Sequence, residues 1–508
     1  MSEATNSKMQ IEKWKVFEIS CEGRSEGNPF TDYTITGTFS CPQEEITVDG
    51  FYDGDGIYKV RFMPSFEGRY AYCIQGSFSS RIYKGSFEVT PPEDGNHGMV
   101  RVSRTWHFAY EDGTPYYPLG TTCYVWQLQG RTLWNQTLDT LREGYFNKIR
   151  FCIFPKHYDY NLHEPSSYPY VGTPCDSSML NSDNFMQFMG RSEGCRFDYE
   201  SFNPEHFRGI DEAVRSLDEL GIEADLIIMH PYDRWGFSTM TPEQDDLYWK
   251  YVVARYAAFK NVWWSFANEY DLMRAKTERD WERYAGIVCA KDPYHHLRSI
   301  HNCGAFYDYT RPWITHCCIQ RQSRFMTGEL VDEWRQRFQK PIIVDEIAYE
   351  GNIQHGWGNI SGEELVRRFW EAVCRGGYAG HGETFLSEDG VLWWSHGGRL
   401  HGESPSRIRF MQDFLKELPA AALAPARFSW DETAACEETF FPDKSCYLFY
   451  YGIQRPSFRN YYIDDTTPYT VWVIDTWEMT RTAAGTFQGR FRIELPAKPY
   501  MLVYFRKQ

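Results

Sequence analysis

No run of Lys and Arg stands out in this chain of 508 residues, whose net charge is −16. A nucleic-acid partner is therefore disfavoured, because holding a phosphate backbone takes clustered cations. No stretch of ~18 apolar residues occurs either, which argues against a membrane-spanning helix. Residues 1–5 lack the basic-then-apolar pattern of a secretory leader. The 14 cysteines are scattered, with only Cys317 and Cys318 adjacent and no C-x-x-C pair. That spacing does not read as a disulfide framework or a zinc site. Free thiols in a reducing cytoplasm are the expectation, with no metal and no cofactor, although a secreted form whose leader has been removed fits the same chain. Low-complexity tracts and short-period repeats are missing too.

Aromatic residues, by contrast, are plentiful: 17% of the chain, with 18 Trp. Part of this is core. Flat rings also suit a protein that packs against the apolar faces of sugar rings. The length allows about two to four domains. Residues 1–97 read as an N-terminal β-sandwich. Short alternating runs at 14–19, 33–39, 58–62 and 85–89 are separated by turn signals such as Asp53-Gly54-Asp55-Gly56. Pro91 and Pro92 open a linker.

From 98 to 420 the pattern becomes helix then strand. Phe207, Ile210, Val214 and Leu217 form an apolar stripe closed by Gly221, and a strand ending at His230 follows. Ser361 and Glu364 have capping-box spacing ahead of Leu365 and Phe369. The repeated alternation predicts an α/β fold, a (β/α)8 TIM barrel. Residues 421–508 return to β runs and read as a C-terminal β-sandwich.

Functional residues of such barrels lie at the C-terminal ends of the strands. The expected first strand, 116–122, ends near Tyr124 and Trp126. The second carries Arg150 and ends at Lys156 and His157. The third ends in His230, Tyr232 and Asp233, with Trp235 just beyond. The fourth, 261–269, ends in Asn268 and Glu269. The fifth ends near His301, and the sixth, 313–320, is weakly patterned. The seventh, 341–346, ends in Glu346, and the eighth ends near Glu383, with Trp393 and Trp394 after it. Polar groups and aromatics thus gather where the mouth should be, as a polyol-binding pocket requires. Each histidine there is either a hydroxyl ligand or a satisfied structural residue. Two facing carboxylates, Glu269 and Glu346, suit cleavage of a glycosidic bond.

Trp264-Ser265-Phe266-Ala267-Asn268-Glu269 and Ile342-Ile343-Val344-Asp345-Glu346 resemble the strand-four and strand-seven ends of the retaining glycoside hydrolases of clan A. The wider layout, the stretch 106–120 and Tyr349-Glu350-Gly351 resemble the apiosidase-like proteins of collagen-binding or endoglucanase type. Those carry an N-terminal sandwich, a barrel and a C-terminal β-domain, in that order. The resemblance implies double displacement, with Glu269 as general acid/base and Glu346 as nucleophile. It implies that Arg150 hydrogen-bonds the nucleophile and that Asn268 contacts the sugar 2-hydroxyl. A retaining pair should stand roughly 5–5.5 Å apart.

Some alternatives stay open at this level. Asn268 and Glu269 face opposite sides of a regular strand, so both serve one site only if the strand ends in a bulge. Asp345 or Glu350 could replace Glu346 if the register slips, and Asp271 is a rival to Glu269. Lys156 and His157 either bind a charged or hydroxyl-rich sugar or form structural pairs. Glu383 is either a substrate acceptor or an ion-pair partner. The expected activity is hydrolysis, exo-acting on small oligosaccharides or glycosides. A transglycosidase and a non-catalytic sugar-binding barrel are the other readings. The partner is a carbohydrate substrate, and the two β-units offer surfaces for homo-oligomer assembly.

Overall fold

The computed structural model describes residues 9–463 and 465–508. The leader reading for residues 1–5 lies outside them.

The N-terminal unit pairs a five-stranded sheet (Gln10–Glu12, Ile82–Thr90, Gly68–Gly76, Ile35–Ser40, Glu45–Asp49 in spatial order) with a three-stranded one (Phe17–Glu22, Ile57–Phe62, Phe51–Tyr52). Alternation turns Ile35, Gly37 and Phe39 inward. Phe39 stacks on Phe62 at 4.2 Å and Phe17 on Phe87 at 3.9 Å, so aromatic pairs join the two sheets.

Eight parallel strands follow: β1 (Gly120–Thr122), β2 (Lys148–Cys152), β3 (Glu223–Met229), β4 (Val262–Ala267), β5 (Arg298–Ser299), β6 (Cys317–Gln320), β7 (Ile342–Glu346) and β8 (Tyr378–His381). Their order is β5-β4-β3-β2-β1-β8-β7-β6, and a bridge between His301 and Cys318 joins the two ends of the row. This is a near-closed barrel of the TIM type. Helices α1 (Arg131–Arg142), α2 (Pro204–Glu219), α3 (Pro242–Tyr256), α4 (Glu278–Lys291), α5 (Val331–Phe338), α6 (Gly362–Cys374), the short α7 (Trp393–His396) and α8 (Ser404–Lys416) accompany it. Their ends follow local chemistry. Asn203 accepts the Glu205 N–H ahead of Pro204, and Thr241 with Gln244 forms a reciprocal cap on α3. Ser361 accepts the Glu364 N–H at 3.3 Å.

Two departures from the expected strands have physical causes. β1 begins only at Gly120, because Pro118 has no N–H to give a ladder. Pro115–Tyr116 instead joins His107–Tyr110 and Val100–Ser103 in a small antiparallel sheet. Its Phe108 and Tyr116 pack on Trp263, Ile343 and Tyr378 and close the barrel's lower end. The β5–β6 connection contains no helix, so the (β/α) alternation lapses once.

The C-terminal unit has a six-stranded antiparallel sheet (Leu423–Ala426, Thr433–Glu437, Cys446–Tyr450, Met501–Lys507, Tyr469–Asp475, Thr480–Phe487) and a two-stranded one (Phe458–Tyr462, Arg490–Glu494). It docks on α6, where Trp370 stacks on Tyr450 at 6.0 Å and Thr433 donates to Glu371 at 2.7 Å. The N-terminal unit docks on α2 and α3. There Arg61 and Arg255 share Asp211, at 2.6 and 2.8 Å, and Arg255 also reaches Asp53 at 2.8 Å.

Candidate active site

Two layers of buried charge fill the barrel. Lys148 and Arg150 lie two apart on β2 and so point the same way, inward. In the lower layer the Lys148 ammonium bridges Asp225 of β3 at 2.7 Å and Asp345 of β7 at 2.8 Å. In the upper layer Arg150 donates to Glu346 at 3.4 Å and to the Asn268 Oδ1 at 3.1 Å. Its Nε lies 3.8 Å from Asp225, which ties the layers together. Unpaired, any of these charges would be costly to bury.

Adjacent Asp345 and Glu346 both reach the interior because the β6–β7 register shifts between Cys318 and Gln320, which places Glu346 beside Gln320. Asp345 serves the lower layer, and Lys148 with Arg150 holds it ionised against the effect of burial. Glu350 accepts the N–H groups of Glu403 and Ser404 at 2.8 and 3.0 Å and thereby caps α8. On β4 the strand stops at Ala267, and Glu269 takes a left-handed conformation, φ 52° and ψ 56°. Such geometry is uncommon outside glycine and gathers at functional sites. It turns the chain so that Asn268 and Glu269 serve one mouth. Asp271 instead accepts three backbone N–H groups, from Cys303, Gly304 and Ala305.

The two glutamates are buried, 5% and 3% exposed, in opposite electrostatic settings. Burial, then the neighbouring Glu346 charge, pushes Glu269 up to about 7; Lys156, Tyr232 and Gln320 oppose this only in part. Burial also acts to raise Glu346, but His301, Arg150 and the Tyr124 hydroxyl outweigh it and hold the carboxyl below its ordinary value. Burial drives the His301 imidazole itself down to about 3. At neutral pH that ring is uncharged, so the positive charges acting on Glu346 are those of Arg150 and, more weakly, Lys156. Tyr124 donates to Glu346, and Tyr232 donates to Glu269. Asn268 uses its carbonyl oxygen on Arg150 and Tyr124, and its buried Nδ2 has no acceptor among the described residues. A free amide donor beside two carboxylates suits a substrate hydroxyl.

The expected site residues divide into two groups. Arg150, Lys156, Tyr232, Asn268, His301, Trp394 and the two glutamates come together. Trp394 lies 5.1 Å from Trp357 and 5.9 Å from Tyr158, and these rings wall one side. His230 touches the Phe154 carbonyl at 3.3 Å beneath Tyr232, and burial lowers it to about 3. The remaining four hold loops. His157 pairs with the Phe185 carbonyl at 2.9 Å. Trp235 is buried and donates to Glu164 at 3.3 Å. Trp393 donates inward to Thr121 at 2.8 Å. Glu383 accepts the N–H groups of His401 and Gly402 at 2.6 and 2.8 Å.

Three groups at the site were not singled out from sequence. Gln322 donates to Glu346 at 3.4 Å, Gln320 flanks Glu269, and Trp357 joins the aromatic wall from eleven residues past Glu346. The weak pattern of the sixth strand concealed where it ends, and no local signal marks Trp357. A recess of about 730 Å3 lined by Cys303, Gly304, Gln320 and Gln322 opens beside the carboxylates. A cleft of about 800 Å3 between the N-terminal unit and α3 contains none of the site residues.

An eight-stranded parallel barrel with two buried carboxyls at its C-terminal mouth suits a glycoside hydrolase. Residues 103–432 match the apiosidase-like catalytic domain, and the chain belongs to that family. Residues 10–77 and 430–506 match two domains of unknown function, DUF5060 and DUF5605. A presumed glycoside hydrolase from Bacteroides vulgatus is 34% identical, with 99% of this chain and 100% of that one covered at a TM-score of 0.90. A family 5 glycoside hydrolase from the same species shares the fold at 16% identity, with 81% and 94% covered and a TM-score of 0.59. Another glycoside hydrolase gives 16%, 81% and 97%, and 0.58. Comparison with curated protein sequences finds no match.

Proposed function

We propose that the chain is a retaining glycoside hydrolase of clan A, with Glu269 as general acid/base and Glu346 as nucleophile. The observation that carries the hydrolase reading is the split between two buried carboxyls in one mouth, Glu269 held protonated to about 7 and Glu346 held ionised; retention rests on the resemblance of the two strand ends to clan A. In the first step Glu346 attacks the anomeric carbon while the Glu269 proton passes to the departing oxygen. In the second, Glu269 takes a proton from water, and that water releases the sugar from Glu346. Arg150 and Tyr124 orient the nucleophile, and Asn268 offers its free N–H to a hydroxyl.

Exo action on small oligosaccharides or glycosides fits a mouth walled by the loops after β2 and β8. We read the flanking units as β-sandwiches, with boundaries at 97/98 and 420/421. No helix among the described residues is long and apolar enough to cross a membrane, and all 14 cysteines are unpaired. Cytoplasmic placement is the reading those thiols favour. The test starts from a screen of aryl glycosides of pentofuranoses and hexopyranoses. Glu269→Gln and Glu346→Gln should each abolish turnover of the best substrate while sugar binding persists. Normal turnover by both variants would refute the assignment.

A further inference from the structure

Lys156 is a cation of the mouth that feels Glu269 and Glu346 from a distance but has no close polar partner among the described residues. Only 3% of it is exposed, yet among the described residues its ammonium makes no hydrogen bond and no ion pair. Its surroundings are rings instead. Tyr124 lies 3.3 Å from the ammonium, Tyr232 4.3 Å, Trp394 4.7 Å and Tyr158 5.7 Å, measured to ring centroids. Ring faces attract a cation but supply no acceptor. Arg150 and Lys148, the other cations of the barrel, each have carboxylates in reach. Two of the caging tyrosines hydrogen-bond the carboxylates themselves, Tyr124 to Glu346 and Tyr232 to Glu269. The ammonium therefore stands next to the bond-breaking centre, on the side of the aromatic wall.

Resting on the hydrolase reading, we propose that Lys156 determines specificity by pairing with a carboxylate on the sugar bound in the pocket, so that the substrate class is a glycoside of an acidic sugar, a uronic acid. A single cation matches a single carboxylate, and the desolvated cage strengthens that pair relative to water. The rings around it also offer apolar faces to the sugar. A neutral hexose would leave the ammonium with hydroxyl acceptors only.

The pH behaviour gives a second handle. Burial lowers Lys156 to about 8. The groups facing it titrate elsewhere: Tyr158 and Cys152 are pushed to about 12, His230 to about 3, Tyr124 and Tyr232 far up, and Glu346 stays below its usual range. Arg150 keeps its charge throughout. Glu269, at about 7, is the exception, and Glu269→Gln removes it. In that variant carboxylate binding should be strongest at low pH and fall as the ammonium deprotonates; loss of the Glu269 charge moves that fall down, and the bound carboxylate moves it back up, because it favours the ammonium.

The experiment is calorimetric titration of the full-length Glu269→Gln protein with glucuronate, galacturonate, glucose and galactose at pH 6.5 and 9.5. At pH 6.5 at least one uronate should bind 10-fold or more tighter than its parent hexose. That preference should vanish on adding Lys156→Met and shrink at pH 9.5 with the lysine in place, a readout that needs no second substitution. Hexoses binding as tightly as both uronates, or a preference that survives Lys156→Met, would overturn the role of Lys156 and leave the hydrolase reading standing. Binding of none of the four sugars would also overturn the uronate assignment, while the hydrolase reading stands or falls on the aryl-glycoside screen.

Discussion

Glu269 unites the local and the chemical arguments. Its left-handed backbone brings it into the mouth beside Asn268, and its burial there keeps the proton on. The pH dependence of kcat/KM follows with defined signs. With Glu269 as the proposed acid, activity should fall as the pH rises through about 7. With Glu346 as the proposed ionised nucleophile, the acid limb should lie below the ordinary glutamate value. Tyr232 donates to Glu269 and favours its charged form. Tyr232→Phe should therefore raise the Glu269 pKa and move the basic limb to higher pH, with the acid limb in place. A basic limb that stays put or moves down would exclude Tyr232 as its determinant. Both carboxylates were legible from sequence as acids at strand ends. The left-handed turn was not, because nothing in Ala267-Asn268-Glu269 forces it; the packing of the mouth does.

Among the elements, the helices were the most readable. The Phe207-to-Leu217 stripe and the Ser361 cap are local patterns, and local chemistry set those boundaries. The short strands were less so. β5 and β6 contribute two and four residues, and their pairing depends on neighbours distant in sequence. That is why Gln320 and Gln322 were not recognised beforehand. Glu350 shows a carboxylate whose role only packing reveals, since it caps α8 from the short strand Glu350–Gly351 beyond β7. Glu350→Ala should cost about 1–2 kcal/mol of stability, the usual range for a lost helix cap. Chemical denaturation would detect this, and an unchanged midpoint would contradict the capping role.

The whole molecule is held together by interfaces that leave the mouth free. Every site residue lies between β1 and α7, while the β-units dock on α2, α3 and α6. The N-terminal interface is ionic and buried, with Asp211 shared by Arg61 and Arg255. Burial opposes the Asp211 charge, but the two guanidinium groups lower the carboxyl to about 2 from 3.8. Its folded pKa is depressed, so its stabilisation is present above about pH 4 and lost as the pH falls toward 2. It amounts to about 2–3 kcal/mol, at about 1.4 kcal/mol per unit. Asp211→Asn removes the shared carboxylate but leaves Arg255 on Asp53 and Arg61 on Glu18, so it should cost about 3 kcal/mol, the lower end for breaking a buried ion pair. A melting temperature equal to that of the parent at pH 7 would contradict this account of the interface.

The central claim is that Glu346 forms a covalent bond to the sugar while Glu269 supplies the proton. Proton NMR of the first product formed from the best aryl glycoside tests it most directly, before mutarotation scrambles the anomers. The account predicts a hemiacetal with the same anomeric configuration as the substrate. A first product of the opposite configuration would contradict it, and would make Glu346 the base that activates a water rather than the atom that attacks.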